Sequence, residues 1–318
     1  MNCWITTFRK AHGGTLFIVF VSLAWSFQLY GQSERTFNYE FFINTDNDSY
    51  LLSNEDDYYT NGLEIGFQFL LKPIKNQKKK IAGMALGQKI YTPASIKDTT
   101  IDFLDRPYAG WLYLQSYLSL FPKDAQLRFA FDLGVTGELS GGEAVQTLLH
   151  EVFNFDEPKG WKNQITGELT ANASFQYQKE WINLGKWGMY TTTDIQAGTL
   201  FTNAKQGVGF RLGRFTPMHA TAFSKSRLGE KNLSSEFFFF LGTSAKYVLH
   251  DTTIEGSLFS IESVHTEVAT DWIFEQQLGI FYAKDRWTLN AIVFFMNNET
   301  EEAVSHAYGR LSLGYRFF

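Results

Sequence analysis

Long, strict alternation of oily and polar residues confines this chain to β-structure more firmly than any other feature. Phe37, Tyr39, Phe41 and Ile43 alternate with Asn38, Glu40 and Asn44, and Leu63, Ile65, Phe67 and Phe69 alternate with Glu64, Gly66 and Gln68. A period of two gives a strand one oily face and one polar face. Similar patterns predict strands near 36–44, 59–71, 84–91, 110–121, 126–136, 165–181, 187–201, 207–215, 234–248, 264–283, 286–297 and 306–318. The stretch 251–260 reads equally as a further strand or a loop. About twelve strands, an even number, suit a single-chain bacterial barrel.

Aromatic residues make up 17% of the 318 residues, yet mean hydropathy is slightly negative. A transmembrane β-barrel combines these, because each strand hides half its residues from the average. A soluble β-sandwich also alternates, but both ends of the chain favour the membrane. Arg9 and Lys10 precede an apolar stretch, Thr15 to Tyr30, with a small-residue exit near Gly31-Gln32. This predicts a signal peptide over 1–32 and one outer-membrane barrel domain over 33–318. Cys3, the one cysteine, lies in that signal, so the mature chain is expected to hold no disulfide or thiol ligand. Losing Arg9 and Lys10 takes the formal charge from −5 to about −7, and nothing suggests a nucleic-acid partner. At the other end, Leu311, Leu313, Tyr315 and Phe317 alternate with Arg310, Ser312, Gly314 and Arg316. The ending resembles the terminal signature of bacterial outer-membrane barrels, with Phe318 one residue beyond the usual phase. It implies the barrel-assembly machinery as a partner.

With the first strand running outward, connections 45–58, 92–109 and 137–164 face out, while 72–82 (holding Lys72, Lys75, Lys78, Lys79 and Lys80) and 121–124 face in. The long stretch 216–233 falls on the inner side, against the usual asymmetry. Within 137–164, Ser140-Gly-Gly-Glu143 reads as a capping box. Val145, Leu148, Leu149, Val152 and Phe153 follow as one helical stripe, and Glu143, Gln146 and His150 as another. That predicts a short amphipathic helix in an extracellular loop, for which a surface helix with a solvated histidine is the plainer reading.

By strand parity, Asp46 and Asp48 share the polar face of the first strand, and Thr60 and Gly62 that of the second. The outward segments bring together Asp46, Asn47, Asp48 and Thr60, then Asp105 to Trp111, then Gln146 and His150, with Gly160-Trp161, Gln164 and Glu168 nearby. Imidazole is a natural general base near neutral pH. Asp48 is a hard oxygen ligand suited to Ca²⁺, which polarises ester carbonyls. The acidic stretch 46–57 also suits a solvated loop that binds cations nonspecifically.

Asn47-Asp48, Tyr59-Thr60-Asn61-Gly62, Arg106-Pro107-Tyr108-Ala109-Gly110-Trp111, Gln146 with His150, Gly160-Trp161 with Gln164, and Tyr308-Gly309 to Phe317 together resemble the outer-membrane lipid A 3′-O-deacylase family. The resemblance spans nearly the whole mature chain. It implies a twelve-stranded barrel with its site between the wall and a loop helix. It also implies Ca²⁺-dependent removal of ester-linked acyl chains from lipid A of lipopolysaccharide, at the outer leaflet, with a histidine activating water. Carried over by position, His150 is the base, Asp48 binds Ca²⁺, Asn47 helps hold the ion or substrate, and Thr60 and Gln146 complete the pocket. On physical grounds Arg106 suits a glucosamine phosphate; Glu168 is a further substrate-binding candidate. Ser49 stands where the family pattern suggests a second acid, and Asp46 is the expected substitute. Two competing readings are a non-catalytic structural or pore barrel and a phospholipase A-type hydrolase; the Gly-x-Ser-x-Gly motif is absent.

Overall fold

The computed structural model describes residues 36–51, 58–72, 78–96, 100–231, 233–259 and 262–318. The expected signal segment, Cys3, Lys75 and Glu55 to Asp57 lie outside them. The described residues form a closed antiparallel barrel of twelve strands, each paired with its sequence neighbours. They are β1 (Tyr39–Asn47), β2 (Tyr58–Leu70), β3 (Lys80–Thr92), β4 (Ala109–Leu120), β5 (Ala125–Thr136), β6 (Leu169–Asn183), β7 (Trp187–Gly198), β8 (Phe201–Arg214), β9 (Glu236–Asp251), β10 (Trp272–Lys284), β11 (Trp287–Met296) and β12 (His306–Phe317). Closure runs from Tyr39↔Phe317 to Asn47↔Gly309 between β1 and β12, so no strand edge stays unpaired. The start of β1 and the end of β12 lie at one mouth, called here the terminal mouth; β1 ends at the other, the loop mouth.

Alternation sorts the two faces as the sequence implies. Tyr39, Phe41, Leu63, Ile65, Met84, Leu86, Leu114, Phe129, Phe131 and Leu133 are exposed and make an apolar outer belt. Tyr39 stacks on Phe67 and Phe317 at 5.9 and 5.7 Å, an aromatic girdle at the terminal mouth. Inside, Asp46, Glu64, Lys89, Asp132, Lys205 and Glu275 line a polar lumen of about 600 Å³. Charges of both signs interleave there, so the wall satisfies its own polar groups.

Several expected boundaries shift. β10 begins at Trp272 rather than near 264, and β6 at Leu169 rather than 165, because the preceding residues are held as loops over the loop mouth: Thr270 N donates to Glu299 O at 2.8 Å and Ile165 N to Tyr108 O at 2.9 Å. β8 begins early, at Phe201, with a register shift against β9 between Thr202 and Asn203. Part of the ambiguous 251–260 stretch is a helical turn, α2 (Thr252–Glu255), which Asp251 caps by accepting from Thr253 N at 2.9 Å.

The segment between β8 and β9 accounts for the long inner connection: it folds back into the barrel as a stopper. Gln126 Nε2 donates to Ser224 O at 3.2 Å and Gln68 Nε2 to Lys225 O at 3.0 Å. Phe223 packs on Tyr190 at 4.7 Å and on Phe281 at 5.7 Å, and Leu228 packs with Ile81 and Phe121. Gly229 N donates to Phe37 O at 2.8 Å, Lys79 pairs with Glu230 at 2.7 Å, and buried Arg227 pairs with Glu236 at 2.8 Å. Lys225, with a left-handed φ of 53°, sets its ammonium 4.1 Å from the Phe42 ring centroid. These partners span β1, β2, β3, β5, β7, β9 and β10, so the stopper meets most of the circumference. Ala222 to Lys225 form the floor of the lumen.

Candidate active site

A local irregularity decides which side of the wall the candidate residues occupy. Between Tyr59 and Asn61 the β2–β3 register shifts, and Thr60 is the extra residue. Tyr59 keeps to the lumen, where its hydroxyl donates to Asp46 at 2.7 Å. Thr60 turns outward and bonds Thr92 Oγ1, at the end of β3, at 2.7 Å. Strand parity had placed Asp46 and Thr60 on one face; the bulge puts the wall between them.

Outside that wall lies α1 (Gly142–Phe153), its start fixed by small residues. Gly110 faces outward on β4, where a Cβ would collide with Ser140 Oγ and stand 3.2 Å from Gly142 Cα. Gln88 Nε2 on β3 donates to Ser140 O at 2.6 Å. Ile90, although outward, is buried beneath Tyr108, Trp161 and Val145. The capping box does not form: Gly141 is the N-cap with φ 67°, Glu143 is exposed, and Ser140 Oγ serves Gly137 O and Gly142 N. At the other end Asn154 closes the helix with φ 57°.

The helix packs contrary to its oily stripe. Gly142, Gln146 and His150 are its buried residues, while Leu148 and Val152 are 58% and 66% exposed. His150 is 5% exposed and therefore is not a solvated surface histidine. Its Nδ1 meets the main-chain carbonyl of Asp156. A carbonyl only accepts, so Nδ1 carries the hydrogen and Nε2 is the basic nitrogen of the neutral ring. One turn earlier, Gln146 Oε1 accepts from Trp161 Nε1 at 2.7 Å, and the buried Gln146 Nε2 has no acceptor among the described residues.

At the same mouth, β1 runs into a 3₁₀ turn, Asp48–Leu51. Asn47 Oδ1 and Asp48 Oδ1 both accept from Ser49 N, at 2.8 and 2.7 Å, and Ser49 Oγ bonds Asn47 Oδ1. An amide, a carboxylate and a hydroxyl oxygen thus converge, and Asp48 is buried. Hard oxygens of this kind fit Ca²⁺. Among the described residues no three His, Cys, Asp or Glu side chains gather as a metal cage, so the set offers a single carboxylate.

A family model for outer membrane protein LpxR matches residues 16–317. The chain belongs to the LpxR family. Among solved structures, LpxR from Salmonella typhimurium is similar in fold at 18% identity, covering 87% of this chain and 100% of its own, with a TM-score of 0.71. The β domain of the Bordetella autotransporter BrkA aligns at 12% identity over 90% of this chain and 100% of its own, with a TM-score of 0.47. No curated protein matches the chain.

Within this LpxR-family barrel, three expected site residues have other partners. Asp46 lines the lumen and takes Arg310 Nε and Nη2 at 2.6 and 2.7 Å, so both its oxygens are engaged on the far side of the wall from Thr60. It is not positioned to stand in for an acid at Ser49. Arg106 is 1% exposed, pairs with Glu299 at 2.5 Å, donates to Thr253 Oγ1 at 3.1 Å and stacks over Tyr91 at 4.8 Å. It latches the β3–β4 loop to the β11–β12 loop and to α2 instead of facing a sugar phosphate. Burial alone would raise Glu299, but Arg106, then His306 and Lys246, hold its carboxyl below the usual carboxylate range. Glu168 accepts from Ser257 Oγ, tying the start of β6 to the loop after α2.

Residue-by-residue reading missed Thr92 and Gln88. Both lie on the outward parity of β3 with Met84, Leu86 and Ile90, and a polar residue among lipid-facing neighbours was the available signal. The Asp156 carbonyl had none, since main-chain groups leave no trace in residue identity.

Proposed function

We propose that this chain is an outer-membrane lipid A deacylase that hydrolyses an ester-linked acyl chain with water activated by His150. One observation carries the reading: a membrane barrel buries Gln146 and His150 against its outer wall, on the side lipid occupies, rather than in its lumen. Burying polar groups costs free energy and is retained where chemistry uses them. Membership of the LpxR family supports the assignment. The stopper weighs against a pore.

His150 Nε2 takes a proton from water as the water oxygen attacks the acyl carbonyl carbon. The Asp156 carbonyl, accepting from Nδ1, orients the ring and supports the imidazolium. The same proton then passes to the departing sugar oxygen, giving a fatty acid and a free hydroxyl. Thr60 and the Gln146 amide orient the substrate. Asn47 and Asp48, with the Ser49 hydroxyl, are the residues that would hold Ca²⁺; when bound, the ion supplies Lewis-acid polarisation of the ester carbonyl. In this reading the loop mouth faces the outer leaflet, where lipopolysaccharide lies. The test is mass spectrometry of lipid A from cells expressing the protein or His150→Ala, with and without calcium chelation. Loss of one acyl chain with the parent and not the variant supports the reading; identical lipid A in both overturns it.

A further inference from the structure

The exposed half of α1 is divided along its length. Glu143, Thr147 and Glu151, spaced four apart, form one flank, and both glutamates are exposed. Leu148 and Val152, exposed, with Val145 and Leu149 half-buried, form the other. The third side, Gly142, Gln146 and His150, is pressed on the wall. A helix with one charged flank and one apolar flank, lying along a surface, has the pattern of an interfacial membrane helix.

Its neighbours continue the apolar flank. Leu139, just ahead of the helix, is 76% exposed, Leu169 at the start of β6 is 83% exposed, and Phe155 just after the helix is 53% exposed. Leu114 on β4 and Leu86 on β3 lie on the outer belt of the strands that α1 packs against, and Leu133 lies on the adjoining β5. The flank is therefore continuous with the lipid-facing surface of the barrel. Leaving so many large apolar side chains in water would be strongly unfavourable.

We propose that α1 lies in the membrane interface, with Leu148 and Val152 in the acyl-chain layer and Glu143 and Glu151 turned to water. The seam between α1 and the wall, where His150 sits, then borders lipid, and an acyl ester reaches His150 without leaving the bilayer. This last consequence rests on the deacylase reading; the lipid contact itself does not.

Spin labelling tests the contact without any substrate. In a Cys3→Ser background, which removes the chain's one cysteine, nitroxides are placed at 143, 148, 151 and 152 by cysteine substitution. The full chain is reconstituted in phosphatidylcholine–phosphatidylglycerol vesicles. Heat-modifiable gel migration verifies each barrel, and only folded samples are read. Labels at 148 and 152 are expected to collide with dissolved oxygen and to be shielded from a water-soluble nickel chelate, with the opposite ranking at 143 and 151. Nickel access at 148 and 152 equal to that at 143 and 151 would overturn the proposal. Exclusion of both reagents from 148 and 152 would also overturn it, because the occupant would then be protein.

Discussion

The main-chain carbonyl of Asp156 meets Nδ1 of His150 and so fixes which nitrogen of the ring is basic. The orienting group belongs to the backbone, so it survives substitution of the Asp156 side chain. His150→Ala is expected to lower acyl release about 10²- to 10⁴-fold, the usual worth of a general base. Asp156→Ala should retain most of the activity. Initial rates on purified lipid A, with heat-modifiable migration as a folding control, check both; equal losses in the two variants would mean that the side chain, not the carbonyl, orients the ring.

The oxygen cluster at Asn47, Asp48 and Ser49 has one formal charge, and Ca²⁺ affinity rises with the number of carboxylates. Ser49→Asp is therefore expected to lower the calcium concentration for half-maximal activity by about tenfold or more. Asp48→Asn should raise it comparably. Asp46→Asn should leave it unchanged, because Asp46 serves Arg310 and Tyr59 within the lumen; that variant should instead unfold at lower temperature. Calcium titrations of activity and thermal unfolding scans separate these effects.

Sequence reading found the barrel because alternation is a local property that the membrane enforces on every strand. Tyr39, Phe41, Phe129 and Leu133 face out as their parity required. It failed where one inserted residue resets parity: the bulge at Thr60 moves a hydroxyl through the wall, and nothing in Tyr59-Thr60-Asn61 marks it. It found α1 and its two stripes, but the plainer reading, a surface helix with a solvated histidine, did not hold: the polar stripe of Gln146 and His150 is buried and Leu148 and Val152 are exposed. The charge of Arg106 suits a phosphate, but its pairing with Glu299, 193 residues away, depends on closure of the barrel.

The stopper predicts electrical silence. Phe223, Lys225 and Leu228 reach strands on opposite sides of the lumen. Planar bilayers holding the full chain are expected to show no steady conductance. Arg227→Ala removes the ion-pair partner of buried Glu236 and leaves it only the Thr216 and Ala222 donors, a loss of up to about 3–5 kcal/mol for a buried pair. It should loosen the segment and produce flickering openings, while lipid A hydrolysis outside the wall continues. Steady, porin-like currents from the parent chain would contradict a stopper that fills the barrel.

The Arg106–Glu299 latch gives a pH dependence with a defined sign. The folded carboxyl of Glu299 lies below its ordinary value of about 4.3. A depressed carboxylate stabilises the closed loops at every pH above that ordinary value. The stabilisation fades as pH falls towards the lower folded value and is lost below it. Residues 100–108 of the β3–β4 loop are thus expected to resist proteolysis at neutral pH and to become sensitive to pepsin only below the ordinary carboxylate range. Glu299→Gln removes the charge at all pH values and leaves Arg106 buried without a counter-ion, so its loop should be cut at neutral pH as well. Mapping the cleavage sites by mass spectrometry checks this. A variant whose loop stays as resistant as the parent's at pH 7 would show that the remaining hydrogen bonds, from Arg106 Nη2 to Thr253 Oγ1 and from Thr300 Oγ1 to the Asp105 carbonyl, hold the mouth closed without the ion pair.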